Sequence, residues 1–215
     1  PHINFYSSTF NFKFCNLKKD YVSTKYEIKN IILNIEKLLN VTIPYEKYNL
    51  DLIDNKFFDE AKKLLPENNY IGLSITQGNM YRKKSWSLDK FINLAKNISQ
   101  TKKKPVFFIE KKDTEIISKI KKKIGNAIFP ESMSSLSGPP LVSALSKRLD
   151  KAISIDNGIM HMIGLADIPM IVLFGPTNSK KFAPKIKNID ILDSKIIYNS
   201  NDIQKITEDD VLRLL

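Results

Sequence analysis

The stretch that most limits what this chain can fold into is 152–176, AISIDNGIMHMIGLADIPMIVLFGP. Ala152 to Ile155 and Met170 to Phe174 are each the length of a buried strand, and neither shows the polar alternation of a half-exposed one. Between them Asp156-Asn157-Gly158 makes a polar turn, and Ile159 to Ala166 reads as a short helix that Pro169 closes. A strand, a helix and a strand in this spacing demand a parallel pair with a right-handed crossover. Ligands of open parallel sheets bind beyond the carboxyl ends of the strands, and Asp156, Gly158 and Gly175 would stand at that edge.

The same alternation runs upstream and downstream. Tyr70 to Ile75 reads as a strand ending in the turn Thr76-Gln77-Gly78-Asn79, followed by a basic loop, Tyr81 to Ser85, and a helix capped by Ser87 with Leu88, Phe91, Ile92 and Ala95 on one face. Pro105 to Ile109 is a second strand, ending at Glu110. Thr114 to Ile124 is a helix that Gly125 stops, and Leu141 to Leu149 is another. After Pro176 come the strand-like pieces Ile189 to Leu192 and Ile196-Ile197, then a closing helix, Thr207 to Leu215, with Thr207 and Asp210 in capping-box spacing. The predicted fold class is α/β: a doubly wound parallel sheet of about five or six strands over residues 70–215.

Residues 1–69 read as an appendage and connector. Apolar residues recur at helical spacing from Ile28 to Leu39, whereas residues 1–20 are aromatic without period and open on Pro1, as a piece cut from something upstream would. No apolar run approaches the roughly 20 residues that span a bilayer, and the start lacks a signal-peptide pattern, so the expected compartment is the cytoplasm. Cys15 is the single cysteine and His2 and His161 are the two histidines, which argues against a histidine-based metal site and makes a small buried thiol the best reading of Cys15. The net charge of +11 has two readings. It can mark a nucleic-acid or membrane-surface binder, or it can reflect a chain rich in Lys, Asn and Ile throughout, with Lys102 to Lys104 and Lys121 to Lys123 as helix-end cations. No aromatics interleave the lysines as a single-strand binder requires.

Strand ends supply polar groups to one sheet edge: Gly78 and Lys84, then Glu110, then Asp156-Asn157-Gly158 before an open helix start. Each has a bland reading as turn, solvated lysine or helix cap. Together they describe a site for an anionic, sugar-bearing ligand, because a helix start offers amides and partial positive charge, a glycine admits a phosphate, and an acidic side chain can accept from ribose hydroxyls. Neither G-x-G-x-x-G, G-x-x-x-x-G-K-[ST] nor G-x-S-x-G occurs, which disfavours dinucleotide oxidoreductases, P-loop NTPases and α/β-hydrolases. His161, in the first helical turn, is open between packing and ligand contact.

Asp156-Asn157-Gly158-Ile159-Met160-His161, then Ala166, Ile168-Pro169 and Leu173-Phe174-Gly175-Pro176-Thr177, closely resemble the C-terminal signature of the family 9 glycosyltransferases, the lipopolysaccharide heptosyltransferases. That signature runs D-[ST]-G-x-x-H, a small-residue helix, and a strand ending F-G-P-T. Gly72 to Phe91 is similar to the family's strand, K-x-W-P and helix segment, and Leu136-Ser137-Gly138 falls where the family has L-x-G. The resemblance covers Tyr70 to Leu215 and, more weakly, Lys25 to Ile43. It implies the C-terminal half of a two-domain, GT-B type enzyme that binds a nucleotide-sugar donor, typically ADP-heptose, with no cofactor or metal.

By that resemblance Lys84 contacts the donor diphosphate, Asn79 and Met80 occupy phosphate-binding places, Glu110 holds the ribose and Asp156 contacts the sugar. Asn157, Gly158, Ile159 and His161 form the helix start that receives the diphosphate. The implied reaction is inverting. Its catalytic base is expected outside this sequence, in an N-terminal domain of which residues 1–69 would be the remnant, and its acceptor is a lipid-linked anionic saccharide, with peripheral contact at the membrane's inner face and no nucleic acid. The alternative from the residues is a non-catalytic nucleotide-sugar or anion-binding module. Met80, Gln77 and Ser87 depart from the family's usual residues, and these departures bear on the donor more than on the fold.

Overall fold

A computed structural model of the 215-residue chain describes residues 26–44, 50–77, 81 and 83–215. Gly78, Asn79 and Met80, and Cys15 and His2, lie outside the described residues. The chain divides into two compact units, one holding α1 (Glu27–Leu39) and the stretch 180–182, the other the remaining described residues from Leu50 onward. In α1, Ile28, Ile31, Ile35 and Leu39 are exposed while Asn30 and Asn34 are buried, and the Asn34 amide donates to the Asn30 carbonyl at 2.7 Å.

The second unit contains α2 (Asn55–Leu64), β1 (Tyr70–Ser74), α3 (Leu88–Ser99), β2 (Lys104–Phe108), α4 (Thr114–Lys123), α5 (Pro130–Met133), α6 (Pro139–Ser146) and β3 (Lys151–Ile155). It continues through α7 (Gly158–Leu165), β4 (Met170–Phe174), the start of α8 (Ser179–Phe182), β5 (Ile189–Asp193), α9 (Ser194–Tyr198) and α10 (Glu208–Leu212). The five strands pair in parallel in the order β2-β1-β3-β4-β5. An isolated parallel bridge between Val106 and Ile128 adds a short rung outside β2. The expected doubly wound parallel sheet is therefore present.

Each central strand is apolar because both of its faces are covered. Ile71, Leu73, Phe107, Ile109, Ile153, Ile155, Ile171 and Leu173 alternate onto one face, where they join Trp86 just before α3, Phe91 of α3, Ile117 and Ile120 of α4, and Ile206 and Val211 near the C-terminus. Gly72, Phe108 and Ala152 point to the other face. A methyl at Gly72 would come within 2.6 Å of Leu149 Cδ1 and 3.1 Å of the Phe108 ring, so this glycine lets the segment after α6 close on the sheet.

Several elements differ from the sequence expectation. Ile196 and Ile197 lie in α9 rather than a strand. Asp193 ends β5, and its carboxylate accepts from Lys195 N at 2.9 Å, so the chain turns into a helix at once. Lys102 lies in the turn after α3, Lys103 links it to the sheet, and Lys104 is the first residue of β2 rather than a helix-end cation. Ser87 occupies the N-cap of α3 without a side-chain cap bond, its backbone N–H being taken by Gln204 Oε1 at 3.1 Å. The capping box of Thr207 and Asp210 is formed as expected.

Candidate functional site

The register of the sheet fixes where the polar strand ends meet. Ser74 of β1 stands opposite Ser154 of β3, and Ile155 opposite Leu173 of β4, so the loops after β1, β3 and β4 leave the same edge side by side. β1 runs out through Thr76 and Gln77. The Gln77 Oε1 accepts from Lys84 N at 2.8 Å, which closes the base of the basic loop. Lys83 has φ 46°, a left-handed conformation that a lysine adopts only at some cost in energy, directly before the residue that reaches the site.

Lys84 Nζ donates to Asp156 Oδ2 and lies 3.5 Å from the Asp156 carbonyl, and the two side chains are only 13% and 7% exposed. The same Oδ2 accepts from Thr177 Oγ1 at 2.6 Å. Asp156 thus joins the loop after β1 to the loop after β4. Asn157 provides a second clamp. Its Oδ1 caps α7 by accepting from Met160 N at 2.8 Å, while its Nδ2 donates to Ser74 Oγ and to the Thr76 carbonyl, each at 2.8 Å. The side-chain amide of Asn157 is therefore committed to holding β1, β3 and α7 together.

At the head of α7, helix geometry leaves the first amides, those of Gly158 and Ile159, without intrahelical acceptors. Gly158 is exposed, and a Cβ built on it would meet nothing within 4 Å. His161 follows in the first turn. By surface area its side chain is open to water, but the protein packed around it still lowers its pKa from the ordinary 6.5; Asp156 acts against that shift and Lys84 with it.

Glu110 stands on the other side of β1, beyond the end of β2. Its carboxylate is exposed and paired with Lys112 at 2.6 Å. The structure thus draws Lys84 into direct contact with Asp156, with Asn157, Gly158, Ile159 and His161 following Asp156 in the chain, and leaves Glu110 at the neighbouring strand end with its own partner. Glu131, at the start of α5, is close enough to Glu110 to raise its own pKa, after the larger effect of burial; a hydrogen bond with the Ile109 backbone opposes both. Thr177 and Gln77 are the residues that sequence reasoning left out of the site. Applying the strand-end rule to β4 as it was applied to β3 would have found Thr177.

A cleft of about 430 Å³ adjoins this cluster. Trp86, Leu88, Phe91 and Ile116 form its apolar part, and Thr76, Gln77, Ser87, Asp113 and Gln204 its polar part. Among the described residues its lining includes no cationic side chain, whereas Lys84 and the head of α7 stand beside it. Among the described residues no group of His, Cys, Asp and Glu side chains is placed to hold a metal ion.

A family model for glycosyltransferase family 9 (heptosyltransferase) matches residues 17–210. No curated protein sequence matches the chain. Among solved structures, a family 9 glycosyl transferase from Veillonella parvula aligns with TM-score 0.71 and 19% identity over 89% of this chain and 59% of that one. The E. coli heptosyltransferase WaaC, solved with ADP, aligns with TM-score 0.66 and 16% identity over 90% of this chain and 57% of that one. The E. coli ADP-heptose lps heptosyltransferase II aligns with TM-score 0.59 and 17% identity over 75% and 50%. At these identities the likeness establishes the fold. The chain spans 50 to 59% of the length of these solved chains.

Proposed function

The chain belongs to glycosyltransferase family 9, the heptosyltransferases, and on that premise we propose that residues 70–215 bind the nucleotide-sugar donor of an inverting glycosyl transfer, with ADP-heptose as the donor. The observation that carries this reading is the meeting of Lys84, Asp156 and the head of α7 at one point of the sheet edge. A lysine and a row of helix amides are the groups that a diphosphate requires. WaaC, a structural neighbour, was solved with ADP and with ADP-2-deoxy-2-fluoro heptose, which supports this donor class.

In the proposed reaction an acceptor hydroxyl oxygen attacks the anomeric carbon, and the bond from that carbon to the β-phosphate oxygen breaks, its electron pair leaving with the diphosphate. Lys84 and the Gly158 and Ile159 amides stabilise the growing charge on the departing group, an effect of the oxyanion-hole kind. The hydroxyl proton passes to a base that lies outside residues 70–215. Glu110 contacts the ribose, and Asn79 and Met80 border the phosphates. The acceptor is a lipid-linked anionic saccharide of the lipopolysaccharide core, and the enzyme works on the cytoplasmic side, at the membrane's inner face. No helix among the described residues is long and apolar enough to cross a membrane.

Titration of the protein with ADP-heptose tests this. The expected result is saturable binding that ADP displaces. Absence of binding by both ligands would contradict the assignment.

A further inference from the structure

Lys84, the residue assigned to the diphosphate, is already neutralised. Asp156 shares its Oδ2 between Lys84 Nζ and Thr177 Oγ1, the latter at 2.6 Å, and the ion pair is almost shielded from water, with 13% and 7% side-chain exposure. Solvent and salt therefore screen it weakly. Three strand-end loops, after β1, β3 and β4, converge to make this arrangement, and Thr177 fixes the carboxylate oxygen independently of the lysine.

The two diphosphates that would occupy the site differ in charge. A sugar-esterified nucleoside diphosphate carries two negative charges. Transfer of the sugar leaves a free terminal phosphate, which ionises a second time near pH 6 and so brings the total to three at pH 8. Coulomb attraction to a lone lysine grows with ligand charge, so Lys84 by itself would hold the product more tightly than the substrate. A fixed carboxylate beside it has the opposite dependence and repels the more highly charged ligand more.

We propose that Asp156, positioned by Thr177, is a charge filter in the donor site: it favours the sugar-bearing diphosphate over the free nucleoside diphosphate and so promotes release of the product. The proposal rests on the donor-site reading above. Asp156 is the specificity-determining group. Thr177 is a positioning residue, which keeps Oδ2 in place when a phosphate draws Lys84 away. The amides at the head of α7 remain to stabilise the leaving group during transfer, and they do so without the extra charge that would trap it.

The test compares dissociation constants at pH 8 for ADP and for its β-methyl ester, which has one negative charge fewer and no sugar hydroxyls to contact Asp156. Asp156→Asn is expected to tighten ADP by about 5- to 20-fold and the ester by about 2-fold, a change in selectivity typical of one charge removed from a shielded pair. Thr177→Val, which leaves the ion pair intact and guards against a folding defect in the first variant, shifts the ratio in the same direction by about 2- to 3-fold, and Thr177→Ser restores it. If both Asp156→Asn and Thr177→Val leave the ADP-to-ester ratio at the wild-type value, or weaken ADP more than the ester, the filter is overturned. If the wild-type protein binds neither ligand, the donor-site reading itself fails, which is a different result from binding with an unmoved ratio.

Discussion

A methyl group added at Gly158 would meet no heavy atom within 4 Å, and Gly158 is not among the residues with positive φ. Neither packing nor backbone geometry asks for glycine there, and the proposed approach of a phosphate to the head of α7 would give it a reason. Gly158→Ala should leave Tm unchanged or raise it by up to about 3 °C, because alanine is the better helix former. It should weaken ADP binding about 10-fold, the loss of one contact worth ~1.4 kcal/mol. Equal ADP affinity in both proteins would remove the glycine from the site. Glu131 gives a prediction of the opposite kind. Its Oε2 is buried without a hydrogen-bond partner, and its pKa is raised by burial first and by Glu110 second. A carboxyl whose folded pKa lies above its unfolded 4.5 binds more protons in the folded state, so it lowers stability as pH rises past that range. Glu131→Gln should melt about 2 to 4 °C higher at pH 7, the shift that ~1 kcal/mol makes in a domain of this size, with the gain shrinking toward pH 4. A melting curve unchanged at pH 7 would show that Glu131 has relaxed into water.

At the scale of elements, β3, α7 and β4 were legible because a strand buried on both faces must be a short apolar run, and nothing else fits between two such runs of this spacing. α7 begins at Gly158, one residue before the expected start, since Asn157 supplies the cap. What could not be read depends on partners distant in sequence. The N–H of Ser87 is taken by Gln204, 117 residues away, and Asp156 is fixed by Thr177 from the next strand end. Ile196 and Ile197 looked like a strand because β-branched residues favour one, but both are exposed, at 69% and 44%, and no core holds them extended. Long-range packing also sets the role of Gly175. A Cβ there would stand 2.8 Å from Ile203 Cβ, 2.9 Å from Ile203 N and 3.1 Å from the Asn201 carbonyl oxygen. Two of these are backbone atoms and cannot swing aside, so Gly175→Ala should destabilise the protein by ~1–3 kcal/mol in urea unfolding. An unchanged unfolding midpoint would mean that segment 201–203 yields freely.

The net charge is +11 over the whole chain, and several lysines of its basic stretches have acidic partners close by. Lys103 pairs with Asp150, Lys104 with Glu67 at 2.6 Å, Lys119 with Glu115 at 2.9 Å and Lys123 with Asp89 at 3.0 Å. Exposed pairs of this kind are worth about 0 to 1 kcal/mol each. Among the described residues Lys84 is a cation shielded from solvent and paired at the strand-end edge, and the functional reading depends on it. The decisive measurement is the dissociation constant of ADP for the wild-type protein and for Lys84→Ala, with melting temperatures recorded alongside. Loss of one charged hydrogen bond to a phosphate is worth ~1.5–3 kcal/mol, so affinity should fall by about 10- to 150-fold. A folded Lys84→Ala protein that binds ADP as tightly as the wild type would contradict the assigned site.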